Sequence, residues 1–179
     1  MDQGEDAMVQ LTATFHKNNH DIWLILECQD YDHYFYKSHL VTNTGIFYKH
    51  TYEQIKYFTG YQGGTQVSQL RVSPDGKKMI HAGDMLGSIQ AWVYSFNNET
   101  GQSNYSCCIK NEPFNSWCAE FSPSSEFVYI SGPGGEGSPI LFYNWIVQYN
   151  ANYSDSVSFN NSKVVVGHFR RINNYGSYG

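Results

Sequence analysis

The feature that most constrains this chain is a phrase that occurs twice. Residues 70–83 run Leu70-Arg71-Val72-Ser73-Pro74-Asp75-Gly76-Lys77-Lys78-Met79-Ile80-His81-Ala82-Gly83. Residues 119–132 repeat the scheme: a short alternating strand, Ser122-Pro123, a turn, a second strand and a glycine. Ser73 and Ser122 stand 49 positions apart. Proline sets φ in such a turn, and Asp75-Gly76 tolerate the geometry of a tight reversal. The second copy carries Ser124-Ser125 where the first has Asp-Gly.

The same grammar runs through the rest of the chain. Val9 to Phe15 alternates apolar and polar residues, as a half-buried strand does. His16 to Asp21 is a turn cluster, and Ile22 to Cys28 is a nearly continuous apolar run that reads as an inner strand. Tyr34 to Val41, Ile46 to Lys49, Ser88 to Phe96, Trp117 to Phe121, Phe127 to Ser131 and Pro139 to Trp145 read as further strands. Ser158 to Gly167 reads as strand-turn-strand. Tyr52 to Phe58 is the one segment with a trace of helical period. Short strands with frequent turns mean an all-β sandwich, barrel or propeller. A four-strand unit recurring at roughly 40–50 residues selects the propeller.

Composition agrees. Of 179 residues, 17% are aromatic and only 15% charged, which suits strands better than long solvated helices. The net charge of −5 disfavours a nucleic-acid surface, which needs clustered Lys and Arg. No run approaches the roughly 20 apolar residues of a membrane-spanning helix. The acidic start, Met1 to Asp6, has no apolar stretch of the signal-peptide kind. Residues 1–8 read as a loose start and residues 168–179 as a frayed end, with blades at about 9–60, 61–110 and 111–167.

Beyond the repeat, a family likeness emerges. Leu11-Thr12-Ala13, His16, Asp21-Ile22-Trp23, Phe35-Tyr36, Leu40-Val41-Thr42 and Gly45-Ile46 resemble the first blade of WD40-like propellers of Bacteroidetes surface and secreted proteins. Those proteins often carry a C-terminal (type IX) sorting domain. Leu70 to Lys78 with Ala91 to Gly101 resemble its next blade, and Glu120 to Pro123 with Val128 to Ser131 the one after. The resemblance implies a partial WD40-like β-propeller of about three four-stranded antiparallel blades, all-β, truncated, and placed outside the cell or on its surface. Three blades leave two open flanks, so self-association through open blade edges is expected.

Candidate chemistry is sparse. His16 and His20 sit four apart, but in a turn without a third ligand. Glu27, Asp30 and Asp32 near His33 hold only a fragment of a calcium-loop pattern. Residues 131–138 are glycine-rich but lack the lysine and the following helix of a phosphate cradle, so they read as an inter-strand loop. Four N-x-S/T sequons, at Asn98, Asn104, Asn152 and Asn160, read as incidental. The four cysteines, Cys28, Cys107, Cys108 and Cys118, read as free and mostly buried thiols, although a Cys108–Cys118 bond is compatible with an oxidising compartment. Trp23, Trp92 and Trp145 read as core. Tyr31, Tyr34, Phe114 and Trp117 are candidate ligand-contact aromatics for a protein or glycan partner. The expectation is a non-catalytic binding or scaffold module with no catalytic, metal or cofactor residues. The alternatives are a hydrolase or lyase on a propeller scaffold, and a nonfunctional fragment.

Overall fold

The computed structural model describes residues 6–29, 33–49, 55–56, 68–83, 89–110, 116–134 and 143–170. These residues form three four-stranded antiparallel meanders. The first is β1 (Asp6–Phe15), β2 (Ile22–Gln29), β3 (His33–Thr42) and β4 (Gly45–Lys49), with the two-residue β5 (Ile55–Lys56) added to β3. The second is β6 (Ser68–Val72), β7 (Lys78–Gly83), β8 (Ile89–Asn97) and β9 (Gln102–Lys110). The third is β10 (Cys118–Phe121), β11 (Phe127–Gly134), β12 (Tyr143–Asn150) and β13 (Val164–Arg170), with α1 (Ser156–Asn161) ahead of its last strand. Strand order in each sheet follows chain order, and β1 lies against β6 as β6 lies against β10. The all-β expectation holds. The sheets stack in blade fashion without closing into a ring.

Strand alternation explains the stacking. Successive side chains point to opposite faces of a sheet. In β7, Ile80 and Ala82 join Val93, Cys107 and Ile109 in a core shared with Phe121, Val128, Ile130 and Tyr149 of the third meander. Their neighbours Met79, Trp92, Tyr94, Phe96 and Cys108 join Trp23, Ile25 and Tyr36 of the first. The second meander is therefore buried on both faces. Cys107 and Cys108 fall in different cores, as adjacent strand residues must. Trp23 is 1% and Trp92 5% exposed, and Trp145 packs against the second–third core. Each such side chain contributes about 1.5–3 kcal/mol by leaving water.

Among the described residues the repeated turn occurs three times, once more than the Ser-Pro signal marks. The N–H groups of His16, Ser73 and Ser122 donate to the carbonyls of Asp21, Lys78 and Phe127 at 2.9, 2.9 and 2.8 Å. Asn19, Gly76 and Ser125 return N–H groups to His16, Ser73 and Ser122, each at 2.8 Å. These three residues hold φ of 59°, 67° and 61°. Ser125 thus takes the left-handed position that glycine fills in the second meander. Its hydroxyl compensates by accepting the Asp75 N–H at 3.0 Å, tying the two turns together. In the first turn Asn18 Oδ1 accepts from His20 and Asp21, while in the second Asp75 Oδ1 accepts from Lys77 and Ser73 Oγ from Lys78.

Several expectations need correction. The helical trace at Tyr52 to Phe58 is wrong where it is described, because Ile55 and Lys56 pair with Tyr34 and His33 as a strand. Among the described residues the helix is α1 instead, which starts at Ser156 and takes the front of the 158–167 stretch read as strand-turn-strand, while Val164 onward is a strand as expected. Asp155 caps it by accepting the Ser158 N–H at 2.8 Å, and Phe159 anchors it by stacking on Tyr149. Six residues are too few for a 3.6 period to repeat. β1 begins at Asp6, inside the stretch read as loose, and pairs there with Gln29. β13 continues through Arg170, past the boundary drawn at 167. β11 extends through Gly134 into the glycine-rich segment, whose residues 135–138 lie outside the described residues.

The glycines of the turns give a ranked expectation. A Cβ on Gly76 meets the movable end of Asn98 at 2.7 Å, whereas one on Gly101 meets the buried Trp23 ring at 2.6 Å, and both glycines have positive φ. Gly76→Ala is expected to cost about 1 kcal/mol and Gly101→Ala about 3 kcal/mol in urea unfolding. Equal losses would show that Trp23 does not press on this turn.

Candidate functional site

The aromatic candidates do not assemble into one described surface. Trp117 lies just ahead of β10, 41% exposed, with its N–H donating to the Ser131 carbonyl at 2.9 Å. Tyr34 is on β3, its backbone paired with Gln29 and Ile55. Tyr31 and Phe114 lie outside the described residues, as do Asp30 and Asp32 of the calcium-loop reading. His16 is occupied with a joint between sheets: its Nε2 donates to the Glu99 carbonyl at 3.1 Å, its Nδ1 accepts the Asn18 N–H, and its ring tilts against Trp23. Among the described residues, no group of three or more His, Cys, Asp and Glu is placed to hold a metal ion. No described helix is long and apolar enough to cross a membrane.

Two features carry the site chemistry. One is a row of polar groups sealed between the first and second meanders. Glu27 and His81 are both 0% exposed, with Glu27 Oε2 3.5 Å from His81 Nε2. Tyr36 Oη stands 2.6 Å from His81 Nδ1 and 3.4 Å from Tyr94 Oη. Trp92 flanks the imidazole at 5.9 Å between ring centres. Strand register brings the pair together: Glu27 sits opposite Tyr36 on the inner face of the first sheet, and His81 faces it from β7.

Burial decides the charge state of this row. It pushes the Glu27 carboxyl up from 4.5 to about 7 and pulls the His81 imidazole down from 6.5 to about 3. The spacing is that of an ion pair, yet 3.5 Å is too long for a good hydrogen bond, and neither Glu27 oxygen has a hydrogen-bond partner. Desolvation outweighs so weak a contact, and the neutral pair is favoured near pH 6. Tyr36 Oη lies within hydrogen-bond distance of His81 Nδ1 and donates to Tyr94 Oη, while His81 Nε2 faces Glu27. Glu27 and His81 are sealed from solvent.

The sequence reading missed His81 as a site residue and placed Glu27 with the acidic residues of the next turn. One signal was present: Glu27 is the only charged residue in the apolar run from Ile22 to Cys28. Its partner is 54 positions away, and only the stacking of sheets joins them.

The second feature is on the outer face of the third meander. A shallow cleft of about 330 Å³ is lined by Gln69, Cys118, Glu120, Tyr129, Ser131 and Ile146. Gln69 Oε1 accepts the Ala119 N–H at 2.8 Å, and Arg71 Nε donates to Glu120 at 3.2 Å across adjoining strands of the second and third meanders. The exposed Arg71–Glu120 pair adds little stability. The cleft offers an apolar floor, a hydroxyl, a thiol and a carboxylate to solvent. No family profile matches the chain, and no curated protein matches it.

All four cysteines are free, with Cys28, Cys107 and Cys108 buried and Cys118 exposed. Burial raises the Cys107 thiol to about 12 and raises that of Cys28 as well. A thiol reagent at pH 8 is expected to label one cysteine in the folded chain, Cys118, and four in denaturant. Labelling of Cys107 in the folded state would contradict the packing between the second and third meanders.

The buried pair sets a pH dependence. From pH 4.5 to 7 folded Glu27 keeps a proton that the unfolded chain has released, so its contribution falls as pH rises. From pH 3 to 6.5 unfolded His81 takes a proton that the folded one refuses, so its contribution rises with pH. The slopes oppose each other between 4.5 and 6.5, and the pair's contribution falls below and above that window. Glu27→Gln removes only the first slope. Relative to the variant, the native chain is expected to lose about 3 kcal/mol of stability between pH 4.5 and 7. Parallel stability–pH curves for the two proteins would refute the buried carboxyl.

Proposed function

We propose that this chain is a non-catalytic binding or scaffold module built from propeller-type blades. The observation that carries the reading is the exposed Trp117 just ahead of β10, 41% accessible to solvent. An exposed tryptophan suits recognition of a peptide or a sugar face. The first strands of the three meanders run side by side, which supports a WD40-like arrangement. Location outside the cell or at its surface, within a larger protein, rests on the resemblance of the repeats alone.

The competing reading, a hydrolase or lyase, would draw on Glu27 and His81, which have the residue types of a general acid–base pair. Their complete burial supports a structural role instead, because a catalytic group must reach its substrate.

The purified chain is expected to retain members of an immobilised oligosaccharide or peptide array. Trp117→Ala is expected to weaken that binding at least tenfold with an unchanged melting temperature. Turnover of chromogenic glycosides or esters that is lost in His81→Gln would overturn the reading in favour of an enzyme.

A further inference from the structure

The two interfaces inside the chain show what covers each face of a meander, and among the described residues two faces of the same kinds are left uncovered. Aligned on the shared turn, Ile22, Met79 and Val128 occupy one position, and Trp23, Ile80 and Tyr129 the next. Met79 of the second meander faces the first, and Val128 of the third faces the second. Ile22 occupies the same position in the first meander, where no sheet precedes it. On the opposite face, Trp23 packs on the second meander and Ile80 on the third, while Tyr129 has no sheet beyond it.

The uncovered face of the first meander is built like a buried one. Cross-strand register places Phe15, Ile22, Val41 and Ile46 in one row and Ala13, Leu24, His39 and Tyr48 in the next. Phe15 is 61% and Ile46 66% exposed. A continuous apolar face of this kind marks an interaction surface. The uncovered face of the third meander offers Tyr129, Ile146, Val164 and Phe169, interspersed with Glu120 and Gln148. In the first meander, Trp23 reaches the turn of the next one, donating to the Asn98 carbonyl at 2.8 Å and pressing on Gly101. Tyr129 stands where Trp23 stands. The corresponding turn of the first meander has open space at Gly45.

We propose that a second copy of this chain docks head to tail, its first meander covering the third meander of its partner, so that two copies close one six-bladed ring. A two-fold axis relates the two contacts, each joining the first-meander face of one copy to the third-meander face of the other. Six blades lie inside the four to eight of closed propellers. The inference rests on the propeller-type reading above and adds the partner, the faces and the copy number.

Sedimentation equilibrium of the 179-residue chain tests it. The mass is expected to double from 20.5 kDa as concentration rises. Ile22→Glu and Tyr129→Glu are each expected to be monomeric alone and to pair one to one when mixed, because each retains the face the other has lost. Ile46→Lys, on the exposed edge strand, replaces Ile22→Glu if that variant fails to fold. A native monomer at all concentrations, a polymer that keeps lengthening, or a Tyr129→Glu protein that still dimerises alone would overturn the proposal. Probe retention through Trp117 is measured separately: a monomer that binds the probe loses only the ring, and a dimer that binds nothing loses only the binding function.

Discussion

The structure depends on the burial of the second meander between the other two. A single four-stranded sheet has two faces and no core of its own; it is stable only when both apolar faces are covered or one of them is polar. Met79, Trp92, Tyr94 and Phe96 on one side and Ile80, Val93 and Ile109 on the other are covered by the neighbouring sheets, so the second meander is buried from both faces. Removal of either flanking sheet would expose a full core. Among the described residues, each flanking sheet has one such face covered.

The turns hold the sheets in register. Dispersion between apolar faces is non-directional and lets sheets slide. The hydrogen bonds between turns do not. Lys17 N–H and Trp23 Nε1 both donate to the Asn98 carbonyl, His16 donates to the next carbonyl along, and Ser38 Oγ donates to that of Gly101. The second and third meanders use Asp75 N–H to Ser125 Oγ and Lys78 Nζ to the Ser125 carbonyl. Residues that resemble site chemistry in the sequence, His16 above all, are consumed in these joints. A histidine in a turn has two ring nitrogens to satisfy, and here the neighbouring sheet and the turn's own backbone take one each.

Against this background the Glu27–His81 row is an anomaly. The described buried neighbours of the pair on these facing surfaces, Trp23, Ile25, Leu70, Met79 and Phe96 among them, are apolar. Here two ionisable groups meet without a good hydrogen bond, at a desolvation cost that their neutral forms only reduce. An apolar pair of similar volume would be more stable by simple transfer. The row therefore limits stability as well as locating one sheet on the other.

Much of the fold was legible in order and type. The period-two alternation of β1 and β8 and the Ser73 and Ser122 turns name strands and reversals, because local sterics and turn chemistry act within a few residues. The third turn, at His16 to Asp21, lacked the Ser-Pro signature and was legible only as a polar cluster. α1 was invisible because its stability comes from Phe159 packing on Tyr149 rather than from its own period. The candidate site was legible only as an exposed aromatic, Trp117. The cleft needs Gln69 of one meander beside Cys118 of the next, and the buried row needs β2 against β7. By itself the sequence determined that this chain makes successive antiparallel meanders, since strand pairing and turns are local. Only the tertiary structure decided which faces meet, which stay open and which ionisable groups are sealed away, because burial is a property of contacts between residues some 50 positions apart.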